Sequence, residues 1–77
     1  MKQNIRYIMV SERLHSRAQG VYLSYDIVAW DATAHAVVVR ARYVTTDREL
    51  ALHITEMLNQ YRVPSQHMAD VVKSLLK

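Results

Sequence analysis

The 77-residue chain is 51% apolar and 22% charged, with ten Lys or Arg, seven Asp or Glu and no Cys. A chain this short buries only ~60% of its unfolded surface, which supports one hydrophobic core and excludes a multidomain enzyme. The lack of Cys excludes a disulfide framework, a thiolate zinc site and a cysteine nucleophile. A formal charge of +3 is too small to indicate a nucleic-acid partner. We therefore expect one domain over residues 1–77.

The N-terminal part combines a short apolar segment with a polar one. Residues 5–10 predict a strand in which odd- and even-numbered apolar positions compete for the core, and residues 11–19 predict a loop. The sequence has no apolar run of the length of a signal peptide and none near the eighteen residues of a membrane span. The expected location is the cytoplasm.

Two longer stretches, residues 20–30 and 36–44, alternate with the two-residue period of a β-strand. The face expected to be buried holds Val21, Leu23, Tyr25, Ile27, Ala29, Val37, Val39, Ala41 and Tyr43. The opposite, outer face holds Tyr22, Ser24, Asp26, Val28, Trp30, Val38, Arg40, Arg42 and Val44. Because two arginines belong to the second set, we expect the outer face to contact solvent.

Residues opposite each other in an antiparallel pair must share a face, which fixes an expected register. Trp30 opposite Ala36 satisfies this condition along both strands and places Ile27 opposite Val39. The same register sets Asp26 against Arg40, an opposite-charge pair on the outer face. Residues 31–35 lack the Asn-Gly signal of a tight turn and predict a longer loop that begins at Asp31.

After residue 45 the apolar period becomes helical. Thr46 and Glu49 have the spacing of a capping box, so a helix is predicted over about 47–61 with Thr46 as its N-cap. Pro64 fits the first turn of a second helix over about 64–76. The apolar stripes of the two helices hold Leu50, Ile54, Met57, Leu58, Tyr61, Met68, Val71, Val72, Leu75 and Leu76. The predicted fold is α+β: a three-stranded antiparallel meander covered on one face by two C-terminal helices (βββαα).

Residues 46–49 and 64–72 resemble segments of a family of short, uncharacterised Firmicutes proteins, chiefly clostridial, and residues 5–12 are similar to the opening of that family. The family's Pro-x-x-His-x-x-Asp-Val-Val pattern matches Pro64, His67, Asp70, Val71 and Val72. The sequence departs from the family at Val63, where a Ser cap is usual, and at Lys73-Ser74, where the family tends to be acidic. The family is a domain of unknown function, so the resemblance implies no activity.

The best fragment for catalysis is His67 with Asp70, because residues three apart on a helix can touch and a carboxylate raises the basicity of an imidazole. A nucleophile and an anion-binding loop are missing from the sequence, so we expect this pair to be structural and the protein not to be an enzyme. The histidines have no metal-ligand spacing, and no metal or cofactor is predicted; they are His15, His35, His53 and His67.

The outer sheet face is the expected interaction surface, with Tyr22, Val28, Trp30, Val38, Arg40 and Arg42 as its residues. If Asp26 neutralises Arg40, the apolar residues favour burial against a protein partner or a second copy. The alternative is a nucleic-acid-binding module, in which the rings stack on bases and the arginines contact phosphates. We favour the protein-binding or regulatory module. A small-molecule ligand and a membrane are not indicated.

Overall fold

The computed structural model describes residues 4–77. Three antiparallel strands form one sheet in chain order, β1 (Ile5–Ser16), β2 (Gly20–Asp31) and β3 (Ala36–Thr45). Two helices follow, α1 (Arg48–Gln60) and α2 (Met68–Leu76), the second preceded by a single 3-10 turn at Ser65–His67. This arrangement confirms the predicted α+β βββαα fold.

The core lies between one face of the sheet and the two helices. Its buried residues are Tyr7, Ile27, Ala29, Ile54, Leu58, Met68 and Val72. The competition between odd and even positions in β1 is resolved in favour of the odd set, because Tyr7 is buried while Ile8 is 40% exposed on the other face. The Tyr7 hydroxyl donates a hydrogen bond of 2.6 Å to the Val63 carbonyl, which satisfies this polar group inside the core.

The side chain of Asn59 joins α1 to the free edge of β1. Its Nδ2 donates to the Tyr7 carbonyl at 2.9 Å, and its Oδ1 accepts from the Tyr7 N–H at 2.8 Å. Both backbone groups of Tyr7 therefore point away from β2 and are satisfied by one amide. This pair of hydrogen bonds fixes where the helix lies on the sheet.

The hairpin of β1 and β2 is longer than predicted. Residues 11–16 continue β1, so the predicted loop over 11–19 is wrong except for the turn at residues 17–19. Gly20 completes this turn with φ +70°, a backbone conformation that a residue without Cβ adopts without strain. The ladder between β2 and β3 ends at Tyr25 and Thr45, so residues 12–24 form a two-stranded arm.

The arm corrects the expected core. Val21 and Leu23 were expected on the buried face, but they are 55% and 49% exposed. They share the period of Ile27 along β2, so the alternation itself is right. The two helices are too short to cover the whole length of a 12-residue strand, and the apolar face of the arm stays open.

The observed register of β2 and β3 differs from the predicted one. Ala29 pairs with Val39, and Trp30 lies opposite Val37 rather than Ala36. A β-bulge between these two pairs inserts Val38 as an extra residue, which an alternation pattern cannot show. The offset of one residue at Trp30 and the one extra residue of the bulge add up, so Ile27 pairs with Ala41, two residues from its predicted partner Val39. Because the total shift is two residues, Ile27 and its partner stay on the predicted face.

A second irregularity changes the end of β3. Between the pairs Tyr25–Thr45 and Ile27–Ala41, one residue of β2 lies opposite three of β3, and Tyr43 has φ +56°. Tyr43 was predicted to be buried opposite Leu23, but it is 52% exposed. Val44 was expected on the outer face, but it packs against the core. Tyr43 and Val44 lie within this irregularity, where the alternation of faces is interrupted, which explains both errors.

The loop that Asp31 was predicted to begin is confirmed. Asp31 Oδ1 accepts hydrogen bonds from the N–H groups of Thr33 and Ala34, at 2.9 and 3.3 Å. The next junction corrects the predicted capping box: the N-cap of α1 is Asp47, whose Oδ1 accepts from the Leu50 N–H at 3.2 Å, and not Thr46. Asp satisfies a free N–H of the first turn better than Thr does.

The second helix also starts later than predicted. Pro64 has an extended conformation (φ −62°, ψ 143°) and precedes the 3-10 turn instead of lying in the first α-helical turn. The α1 helix ends at Gln60, which leaves Tyr61, expected on the apolar stripe, 66% exposed. Leu76 at the end of α2 is also exposed. The remaining predicted stripe residues of α2 contribute to the core or pack against it.

Candidate functional site

The outer face of the sheet, which the helices do not cover, carries an apolar patch near the loop of residues 32–35. We define the apolar patch as Ile8, Val28, Trp30, Val37 and Val38. Ile8 pairs with Val28 across β1 and β2, and Trp30 pairs with Val37 across β2 and β3. Val28 is buried, Trp30 is half-buried, and Ile8 and Val38 are 40% and 41% exposed.

The structure thus brings together three residues of the predicted interaction surface, namely Val28, Trp30 and Val38. The burial of Val28 within the chain corrects the expectation that another chain covers it. Sequence reasoning missed Ile8 because the pairing of β1 was not assigned. Val37 was assigned to the buried face, and only the bulge at Val38 places it opposite Trp30.

The centre of the outer face is occupied by a charge cluster, which we define as Glu12, Asp26, Arg40 and Arg42. Asp26 is 0% exposed although no helix lies over it. Its Oδ2 accepts from Arg40 Nη2 at 2.7 Å and from Nε at 3.0 Å, while its Oδ1 accepts from the Tyr43 N–H at 2.9 Å. The predicted contact between Asp26 and Arg40 is therefore present, although Arg40 is registered opposite Val28.

Glu12 extends the cluster onto β1. Its Oε1 accepts from Arg42 Nη2 at 2.8 Å and lies 3.6 Å from Arg40 Nη2. The Arg42 guanidinium also lies over the ring of Tyr43, 4.9 Å from its centroid, which is cation–π geometry. Two carboxylates and two guanidiniums are thus paired across all three strands, and their formal charges cancel.

The ionisation of Asp26 follows from these contacts. Burial raises the pKa of Asp26, but the hydrogen bonds from the Tyr43 N–H and from Arg40 outweigh this effect, so its pKa lies below the usual value. The hydrogen bond to Glu12 raises the pKa of Arg42 above its ordinary value. Both effects favour the charged forms. Asp26 and Arg42 are therefore charged at neutral pH.

Tyr22 does not join the apolar patch. It lies at the other end of the outer face, on the arm, and lines an open groove together with Leu14, His15, Ser24, Tyr43 and Thr46. The outer face thus has three parts along the strands: the apolar patch, the charge cluster and this groove. Tyr22 and Trp30 lie at opposite ends.

The predicted pairing of His67 with Asp70 is wrong. Both side chains are exposed, and within residues 4–77 no hydrogen bond or ion pair joins them. His67 lies in the 3-10 turn and Asp70 in α2, so the two do not share a regular helix. Their helical spacing in the sequence does not produce a catalytic pair.

A metal site would require clustered ligand side chains, and a membrane span would require a long apolar helix. His15, His35, His53 and His67 are all exposed. No group of three or more metal-ligating side chains occurs in the described part of the chain. Neither helix among these residues is long and apolar enough to cross a membrane.

The chain was compared with protein-family models, with curated proteins and with solved structures, and none of the three comparisons found a match. The resemblance to the short Firmicutes family stays a prediction. The evidence on function is therefore the geometry of the outer face, where a neutral cluster of ion pairs lies between an apolar patch and a groove.

Proposed function

We propose that this protein is a non-enzymatic, cytoplasmic protein-binding or regulatory module whose contact surface is the outer sheet face. The observation that carries this proposal is the pairing of Arg40 and Arg42 with Asp26 and Glu12. Since the arginines are engaged within the chain, the apolar patch is the part of the face with unused binding capacity. Contiguous apolar surface with a polar surround is typical of protein-interaction sites.

The composition of the patch supports a protein partner. Trp30 is the residue type most enriched at the energetic centre of interfaces; it lies opposite Val37 on β3, and Ile8 of β1 is its diagonal neighbour, opposite Val28. Ile8 and Val38 lie on β1 and β3, so a partner that covers both also encloses Trp30. Exclusion of water around a central aromatic residue is the usual arrangement of a binding hot spot.

Nucleic-acid binding is the competing function, and Arg6 is the observation in its favour. Arg6 is registered opposite Trp30 and has no ion pair within residues 4–77, so it places one unengaged cation beside a ring. Nucleic-acid affinity grows with the number of phosphates that cations neutralise. One such cation beside the patch is a weak basis for this function, because Arg40 and Arg42 would have to leave their carboxylate partners first.

The proposed function is tested by crosslinking in cells. A photoreactive amino acid replaces Val38 in the apolar patch, and a control variant carries it at Glu56, an exposed residue of α1. We expect light-dependent protein adducts from position 38 and none from position 56. Adducts only to nucleic acid, or equal adducts from both positions, would contradict the proposal.

A second measurement addresses nucleic acid directly. The purified protein is titrated into labelled single-stranded RNA and DNA at low ionic strength, beside the double variant Arg40→Ala with Arg42→Ala. We expect no substantial binding by the wild type at micromolar concentration. Micromolar binding that is lost in the double variant and falls steeply with added salt would establish the competing function.

A further inference from the structure

We propose that the partner of the outer face is a second copy of this chain, in a two-fold symmetric dimer in which two sheets pack face to face. This inference rests on the proposed function of that face and names its partner. A two-fold axis brings each surface against itself, so the face must be complementary to its own copy. Charge, spacing and area each bear on this condition.

The charges of the outer face are compatible with self-association. A surface with one sign of charge repels its own copy, whereas the charge cluster contains two carboxylates paired with two guanidiniums. The buried carboxylate of Asp26 already has three hydrogen-bond donors. Asp26 therefore needs no charge from the partner, while Glu12 Oε2, which is buried with no hydrogen-bond partner among the described residues, is free to accept a donor from it.

The spacing of the aromatic residues along β2 suits a two-fold axis through the charge cluster. Trp30 and Tyr22 lie on the same face of β2, four residues on either side of Asp26. At the rise of a β-strand, each lies ~13 Å from the level of Asp26. A two-fold axis across the strands at that level places Trp30 of one copy over the groove that contains the partner's Tyr22. The apolar patch of each copy is then covered by the groove of the other.

The area of the face is close to that of a specific contact. Three strands, ~14 Å wide, run along ~23 Å of the sheet and the two-stranded arm, ~10 Å wide, adds ~17 Å, so each face projects ~480 Å². If the whole face is covered, two copies bury ~960 Å², which lies at the lower limit of ~1,000 Å² expected of a biological interface and corresponds to a weak dimer. The helices remain on the outside of both sheets and do not obstruct the contact.

The first test measures the mass of the purified protein by sedimentation equilibrium over a range of concentrations. We expect the wild type to reach twice the 9.0 kDa mass of one chain. Val38→Glu in the apolar patch is expected to weaken the dimer about tenfold or more, because it buries a charge without a partner. Val21→Glu is the matched control: the same change at an exposed valine on the opposite face of the sheet, where dimerisation should be unchanged.

The second test uses the absence of cysteine in the chain. Val10 is registered opposite Asp26, so on β1 it lies at the level of the two-fold axis, facing its own copy in the partner. Sheets packed face to face lie ~10 Å apart, too far for a direct disulfide, so a short bifunctional maleimide should link Val10→Cys into a dimer and should not link Glu56→Cys on α1. This measurement does not depend on Val38→Glu being folded, which circular dichroism checks separately.

The inference is overturned if the wild type keeps the mass of one chain at high micromolar concentration, if both Val→Glu variants dissociate the dimer equally, or if Val10→Cys does not crosslink. These results differ from a failure of the proposed function. A monomer whose position 38 still crosslinks to another protein in cells keeps the function and rejects the dimer. A monomer without protein adducts rejects both.

Discussion

Replacement of Asp26 by Asn tests whether the buried carboxylate holds the central strand and β3 together. Asn has the same shape, and its side-chain oxygen can still accept from the Tyr43 N–H, as Asp26 Oδ1 does at 2.9 Å. The Asn amide group would then face the Arg40 guanidinium, so that donors meet donors. The variant therefore loses the charged interaction at 2.7 and 3.0 Å and little else.

The expected loss of stability follows from this geometry. A hydrogen bond to a charged group contributes ~1.5–3 kcal/mol, and the Arg40 side chain is 42% exposed, so solvent screens part of the interaction. We expect Asp26→Asn to lower the free energy of unfolding at pH 7 by about 2 kcal/mol. For a domain of this size that corresponds to a fall in melting temperature of about 8–16 °C. Asp70→Asn is the matched control: an exposed residue in the first turn of α2, with an expected loss of no more than about 1 kcal/mol.

The dependence on pH provides a further check. Folding lowers the pKa of Asp26, so its stabilisation is fully present above the pKa of an unfolded Asp, ~3.9, and is lost as the pH falls through the lower folded value. The difference between wild type and Asp26→Asn, measured by urea denaturation, should be constant from pH 7 to 5 and should narrow below pH ~4. A loss under about 0.5 kcal/mol at pH 7, or a difference that widens in acid, would refute the assigned role of the carboxylate.

Two further predictions concern the helical half. Asp47→Ala removes the N-cap of α1 and should lower the stability measured in a thermal melt by ~1 kcal/mol. Thr46→Ala should lower the stability by less than about half of that. A larger loss for Thr46→Ala would contradict the assignment of Asp47 as the N-cap. Asn59→Ala leaves the N–H and C=O of Tyr7 without their partners and should cost about 2–3 kcal/mol, while Gln60→Ala, an exposed neighbour, should stay within about 0.5 kcal/mol. Equal losses for Asn59→Ala and Gln60→Ala would show that the amide bridge contributes nothing.

The sequence predicted the fold through its periodicities. The alternation in β2 and the stripes of Ile54, Leu58, Met68 and Val72 identify the elements and the faces that form the core. These signals are strong because burial of one face sets the period of the apolar residues along the whole element. The same reasoning correctly brought Asp26 and Arg40 together, since opposite charges on one face of a sheet attract over neighbouring positions.

The errors arose where an extra residue or a tertiary contact decides the structure. A bulge at Val38 and the positive φ of Tyr43 shift the register without leaving a Gly or Pro in the sequence as a signal. Glu12 was assigned to a loop, so its ion pair with Arg42, 30 residues away, could not be foreseen. The composition of the apolar patch likewise depends on the pairing of β1, which local patterns do not encode.

The bonds between Asn59 and Tyr7 also set the order in which the chain can complete its fold. Tyr7 makes its edge contacts with a residue 52 positions later and its hydroxyl contact with one 56 positions later. During synthesis from the N-terminus, the hairpin of β1 and β2 can form early, but the first strand gains these partners only after residue 63 has been made. Contacts of such long sequence separation slow folding and leave apolar surface exposed meanwhile. A nascent chain that stops before α1 is complete therefore presents an unprotected edge and an open core face together.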